Sequence, residues 1–259
     1  MKEPHLQNKP LVEAIVEIRW KLPVQDSGAQ IDENYQFMLA DMRAKLRKDY
    51  PAYEPLPTAS IPQEISAYIV QHRFRKSDKC WPLVQLGQGI LTLNDTTSYD
   101  WDNDYKKRTR ALLETLFKVY PESETEKLHI NGLAFRYIDA FKFDFENADV
   151  FEFLEESLHT SIKPNESLFE GGIITKPTAI DFRLTFPSLK PIGQASLRLT
   201  RGKHHGFDVI LMETSVESGP EEVIDNIKDC ASWLTQAHDL CWIWFEGMTR
   251  GSLYESFKG

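Results

Sequence analysis

The sequence predicts an α+β protein: two similar β-α-β-β-β-α halves that build a long, mostly antiparallel, curved sheet with helices packed on one side. Three observations predict it. Several stretches alternate apolar and polar residues, the two-residue period of a half-buried strand. Those stretches come in consecutive runs instead of alternating with helices, which separates α+β from doubly wound α/β. Each run is closed by a segment whose apolar residues recur at helical spacing. The order strand, helix, three strands, helix occurs over 1–124 and again over 125–259, in one full-length unit that reads as a structural duplication.

The first strand is "LVEAIVEIRW". Val12, Ala14, Val16, Ile18 and Trp20 share one parity, and Glu13, Glu17 and Arg19 share the other. In "NYQFMLADMRAKLRKDYP" Tyr35, Met38, Leu39, Met42 and Leu46 mark a helix that Pro51 ends. "PAYEPLPTASIP" reads as a proline-rich link, and "EISAYIVQHRF" as a strand. "WPLVQLG" and "GILTLND" are two further strands split by Gly87 and Gly89. "SYDWDNDYKKRTRALLETLFKVYP" is a second helix, capped by Asp100 or Asp102 and stopped by Pro121.

The second half opens on "LHINGLAFRYIDAFKFDF", a long strand with Leu133, Phe135, Tyr137, Phe141 and Phe143 on one face. "DVFEFLEESLHTSI" is an amphipathic helix, followed by a loop with a double glycine. "AIDFRLTFPSL", "GQASLRLTR" and "FDVILMETSVES" are three strands, with "RGKHHG" the tight connection between the last two. The final helix is expected to start at Glu221–Glu222. Its seam is Val223, Ile227, Cys230, Leu234, Ala237 and Cys241.

Composition excludes several functions. Apolar residues at 41% and charged residues at 27% are those of a folded globular chain. No apolar run approaches the roughly 20 residues that a membrane-spanning helix needs. No export signal precedes the first strand, so the expected location is cytoplasmic. Three cysteines without a CxxC pair read as scattered buried thiols. A net charge of −9 argues against nucleic acid as a partner. "KKRTR" and "RAKLRK" are basic, but they sit in helical patterns beside acids and read as solvated faces.

Glu13, Glu17 and Arg19 are the first candidate site, joined by Arg73, Arg136, Arg183 and Arg198 on other strands. Charges of both signs on an open sheet face could grip a small anion or phosphorylated ligand, with arginines on the phosphate oxygens. The spacing E-x-x-x-E-x-R departs from the E-x-E-x-K of triphosphate-tunnel enzymes. An ordinary solvated face with cross-strand pairs is the plainer account. His204–His205 point apart on an extended chain and read as a hairpin tip, not a metal site. His238 is expected at the edge of the core, with no nucleophile at a recognisable spacing. Neither glycine-rich stretch has phosphate-loop spacing, and G-x-S-x-G is absent. "YDW" at 99–101 and "WIWF" at 242–245 are large aromatic groups for which core packing is the default, and lining of a pocket or an interface, including a dimer contact, the sharper alternative.

"KPLVEAIVEIRW", "DYPAY", "SYDWDNDYKKRTRALLETL", "GLAFRYID" and "WLTQAHDLCWIWFEGMT" occur in this order along nearly the whole chain. Together they resemble the TIGR04255 family, a sporadically distributed group of bacterial and archaeal proteins. The family has no established activity, so the resemblance implies no catalytic residue. Its patchy distribution implies an accessory or defence-locus component. The expectation is therefore a binding protein rather than an enzyme, with no cofactor and no metal. Its partner would be another protein or a second copy of itself. The competing expectation is a phosphorylated-ligand or nucleotide-binding enzyme that uses the charged sheet face. A third is an apolar cavity between the sheet and the final helix.

Overall fold

A computed structural model describes residues 6–96, 98–121, 127–219, 224 and 226–259. In chain order its elements are β1 (Leu11–Trp20), α1 (Tyr35–Leu46), β2 (Ala52–Pro55), β3 (His72–Arg75), β4 (Leu83–Gly87) and β5 (Ile90–Asp95). A π-helical turn at Trp101–Tyr105 then leads into α2 (Lys106–Val119). The second half contains β6 (Ile130–Lys142), α3 (Val150–Glu156), β7 (Asp181–Leu189), β8 (Ile192–His204), β9 (Phe207–Glu217), α4 (Ile227–Thr249) and α5 (Ser252–Lys258). The strands form one nine-stranded antiparallel sheet in the order β2-β3-β4-β5-β1-β6-β9-β8-β7. The chain is thus α+β.

Each half folds back so that its opening strand lies beside its last one: β1 pairs with β5, and β6 with β9. The two halves meet where β1 runs antiparallel to β6. They repeat this order of neighbours without matching element for element. The first half carries β2 as an additional edge strand, and α1 has 12 residues against the 7 of α3.

The parity of β1 accounts for the layering. Ala14, Val16, Ile18 and Trp20 are fully buried in one core with Met38 and Met42 of α1, Leu112, Leu113 and Leu116 of α2, and Leu234 and Ala237 of α4. A second cluster continues on the same face, where Phe141, Leu199 and Met212 meet Leu154 of α3, Phe245 of α4 and Phe257 of α5. Burying each large apolar side chain is worth about 1.5–3 kcal/mol, so this one-sided pattern fixes the register of β1 and β6. Glu13 and Glu17 lie on the opposite face.

Three expectations are corrected. The proline-rich link contains β2, whose Tyr53 pairs with Phe74; Pro55 is accommodated because the strand is at the sheet edge. "EISAYIVQHRF" contributes only its end to a regular strand. Gln63–Ile65 is a 3-10 turn and Tyr68 has φ +60°. The segment bends because it crosses closely over Gly87, where a Cβ would lie 1.9 Å from the Ile69 carbonyl oxygen. Cys80 is exposed, whereas Cys230 and Cys241 are buried as expected.

Side-chain caps set the starts of the π turn ahead of α2, of α3 and of α4. Asp100 accepts from the Asn103 amide at 3.0 Å, Asp149 from the Phe151 amide at 2.8 Å, and Asn226 from the Asp229 amide at 2.9 Å. α4 therefore begins at Ile227. Glu221, Glu222 and Val223, named above as its start, lie outside the described residues. Among the described residues no helix is long and apolar enough to cross a membrane.

Tyr105 ties β1 and β5 to the helix layer. Its buried hydroxyl accepts from the Val16 amide at 3.1 Å and donates to the Leu93 carbonyl at 2.5 Å. Tyr105→Phe leaves both backbone groups without that partner in a dry core. It should cost about 1–3 kcal/mol, read as a lower urea midpoint at unchanged slope. An unchanged midpoint would mean that the hydroxyl does not bridge these strands.

Candidate functional site

The apolar face of β6 contains one residue that its alternation does not predict. Leu133, Phe135, Tyr137 and Phe141 point into the helix layer, and Asp139 points with them. Its backbone stays in the ladder between Leu11 of β1 and Met212 of β9, so the carboxyl cannot turn to solvent without breaking the sheet. The residue is 3% exposed. Among the described residues no hydrogen bond or ion pair reaches the carboxyl, and burial alone pushes its pKa up to about 8. At neutral pH it is mainly a neutral acid, able to donate a hydrogen bond.

Asp139 opens into a cavity of about 550 Å³. Lys9, Pro10 and Leu11 bring the entry to β1 to one side, and Trp242 and Phe245 of α4 form another. The link from β5 to α2 supplies Tyr99, Asp100, Trp101, Asp102 and Asn103. The π turn shapes this third side: the Tyr105 amide donates to the Asp100 carbonyl at 2.8 Å, five residues back. Such turns recur at functional sites. The Lys9 ammonium donates to the Tyr99 carbonyl, which anchors the N-terminal segment over the cavity.

Behind the cavity wall is a polar cluster inside aromatic packing. The Tyr137 hydroxyl lies 2.8 Å from His238 Nδ1, and the Tyr99 hydroxyl is hydrogen-bonded to that of Tyr137. Trp101 stacks on the His238 ring at 3.9 Å and 18°, while Phe135 meets it edge-on at 5.6 Å. His238 is 1% exposed, within the core and not at its edge as expected from the sequence. The Cys241 thiol, close to Asp139 and Thr214, is raised to about 12 by burial and stays protonated. It is no activated nucleophile.

The seven charged residues picked out from the sequence lie together, but on the other face of the sheet. The pairings align Arg73, Gln85, Thr92 and Glu17 in one row, and Glu13, Glu213, Arg198 and Arg183 in another. Most of these charges are engaged with each other. Arg19 meets Glu17 at 2.6 Å; Arg73 meets Glu54 at 3.4 Å and Gln85 at 3.2 Å. Arg136 lies 3.4 Å from Glu213 and 3.5 Å from Glu217. Arg198 grips Asp181 with two bonds of 2.8 and 2.6 Å, and Glu13 accepts from Asn94 at 2.8 Å. Arg183 faces Arg198 in register. The face is a ladder of partly exposed pairs, each worth under about 1 kcal/mol.

His204 and His205 occupy the β8–β9 hairpin, where His205 has φ +49° and Gly206 φ +82°. No group of three or more metal-ligating side chains occurs among the described residues. The two aromatic stretches converge: "YDW" and the Trp242 and Phe245 of "WIWF" line the same cavity. Trp244 instead meets Phe186 of β7 at 6.1 Å, and Ile243 is 56% exposed. Asp139 is not among the seven residues that the sequence pattern singles out. The signal was present as an acid on the apolar parity of "LAFRYIDAF".

Comparison with family models, with curated proteins and with solved structures gave no match.

Proposed function

We propose that this chain is a small-molecule binding protein whose site is the cavity between β6, the entry to β1, the π turn and the C-terminal part of α4. The observation that carries this reading is the unpaired carboxyl of Asp139 in the wall of that cavity. A buried ionisable group with no protein partner lowers stability, and such groups concentrate at functional sites. The cavity has the size and the mixture of aromatic wall and few polar groups that ligand sites share. Binding is favoured over catalysis because the nearby thiol is inert and His238 is sealed among aromatic rings. The opposite sheet face supports a phosphate site less well, since Arg19, Arg73, Arg136 and Arg198 are already engaged with carboxylates.

The chain has six tryptophans, two of them in the cavity wall. With 5-fluorotryptophan incorporated, a screen of aromatic and alicyclic fragments should move the 19F resonances of Trp101 and Trp242. Those of Trp20 and Trp81 should stay fixed. A screen in which the two cavity resonances never move removes the reading.

A further inference from the structure

The charged groups of the cavity lining are three carboxyls and one ammonium, beside the neutral Asn103 amide and two tyrosines. Asp139 presents a carboxyl deep in the wall, and Asp100 and Asp102 add two more on the π-turn side. The Asp100 carboxylate is turned to capping, accepting from the Asn103 amide at 3.0 Å. Lys9, the cation on the lining, has its ammonium on the Tyr99 carbonyl, and no ion pair joins it to Asp139. The remaining walls are mainly apolar, with Tyr99, Trp101, Tyr137, Trp242 and Phe245 lining the same space as Leu6, Pro10, Leu11 and Asp139. An anion placed there would meet three acids against one ammonium that is already engaged with the Tyr99 carbonyl. A cation would find a counter-ion and the negative faces of aromatic rings, the combination that recognises ammonium groups.

From this we infer that the ligand is an organic ammonium ion carrying an apolar or aromatic body, with the Asp139 carboxylate as its counter-ion. The inference rests on the cavity being the binding site. Because Asp139 is mainly protonated at neutral pH when the cavity is empty, binding is coupled to a proton. The cation enters, the carboxyl O–H bond breaks, and the proton leaves to solvent. The other titratable or charged groups around Asp139 are Lys9, Asp100 and Asp102 on the cavity lining, Tyr99 and Tyr137 beside them, and on α4 the Cys241 thiol and His238, which is hydrogen-bonded to Tyr137. The Cys241 thiol, raised to about 12 by burial, stays protonated and takes no part in the coupling near pH 7.

Titration calorimetry with three probes tests this: benzyltrimethylammonium, benzyl alcohol and phenylacetate. The quaternary ammonium carries a charge that does not titrate. At pH 8 it should bind about ten-fold or more tighter than either other probe, and its affinity should fall up to about ten-fold for each pH unit below 8. In buffers of different ionisation enthalpy at pH 7, binding should release about one proton per site. Asp139→Asn should remove the preference for the cation, the pH dependence and the proton release while still binding benzyl alcohol. The proton count on the unaltered protein gives an answer that needs no variant. Benzyl alcohol or phenylacetate binding as tightly as the cation, with Trp101 and Trp242 responding, overturns the ammonium assignment and leaves the cavity reading standing. No response to any probe at those tryptophans overturns both.

Discussion

Asp139→Asn should make the protein more stable, and the gain should grow with pH. An acid whose folded pKa lies near 8 against an ordinary value of 3.8 keeps its proton when folded and loses it when unfolded. Between those values the folded state binds more protons, so stability falls as pH rises through the window. Below about pH 4 both states are protonated and the effect vanishes; above about pH 8 it is complete. Within the window the slope approaches 1.4 kcal/mol per pH unit, the equivalent of one unit of pKa. Asparagine has nearly the same shape and no charge to bury. The difference in urea stability between variant and parent should therefore be small at pH 4 and several kcal/mol at pH 8. Asp95, also buried with a raised pKa, is common to both proteins and cancels in the difference. An equal difference at both pH values would show that Asp139 ionises normally, and the argument for the cavity would lose its main support.

Trp101→Ala should be the most damaging single change near the site, costing about 3–5 kcal/mol. The indole stacks on His238 at 3.9 Å, takes Phe135 edge-on at 5.5 Å and lies 6.3 Å from Tyr105, so its removal leaves a void where three secondary-structure elements meet. Trp101→Phe keeps part of that packing and should lose clearly less. Equilibrium urea unfolding at pH 6 measures both variants. A loss under about 1 kcal/mol for the alanine variant would mean that the ring is not packed into this cluster.

The layering of the sheet was legible because it follows from local alternation. The even parity of β1 reads directly as buried, and the structure buries Ala14, Val16, Ile18 and Trp20 completely. A helix start was legible at Asp100, one of the two candidate caps in the sequence, because it caps its own backbone; the equally local caps at Asp149 and Asn226 went unread. Where a distant contact bends the chain, the reading failed. The segment before His72 alternates like a strand, yet its path is set by a close crossing over Gly87, far along the sequence. β2 is four residues long and its main partner is β3, a pairing with no local signature.

The seven charges nominated on sequence grounds do share a surface, because strand parity and register put them there. Their spending on one another is a property of cross-strand distance, which parity alone does not give. With Asp139 the limits are reversed. Its position on the apolar side of β6 follows from the sequence, but an acid there is equally compatible with an ion pair to a helix. Only the packed arrangement reveals that α4 and the π turn bring no cation to it and leave space instead.

By itself, then, the sequence determined the α+β class, the buried side of β1 and β6, the cap at Asp100 and the sharing of one face by the charged residues. These are short-range properties, set by backbone period and by side chains within a few residues of each other. Tertiary structure alone decided that Tyr99, Trp101, Asp139 and Trp242 surround one cavity. They come from three segments separated by tens of residues, and what each contributes depends on the distances left between elements after packing.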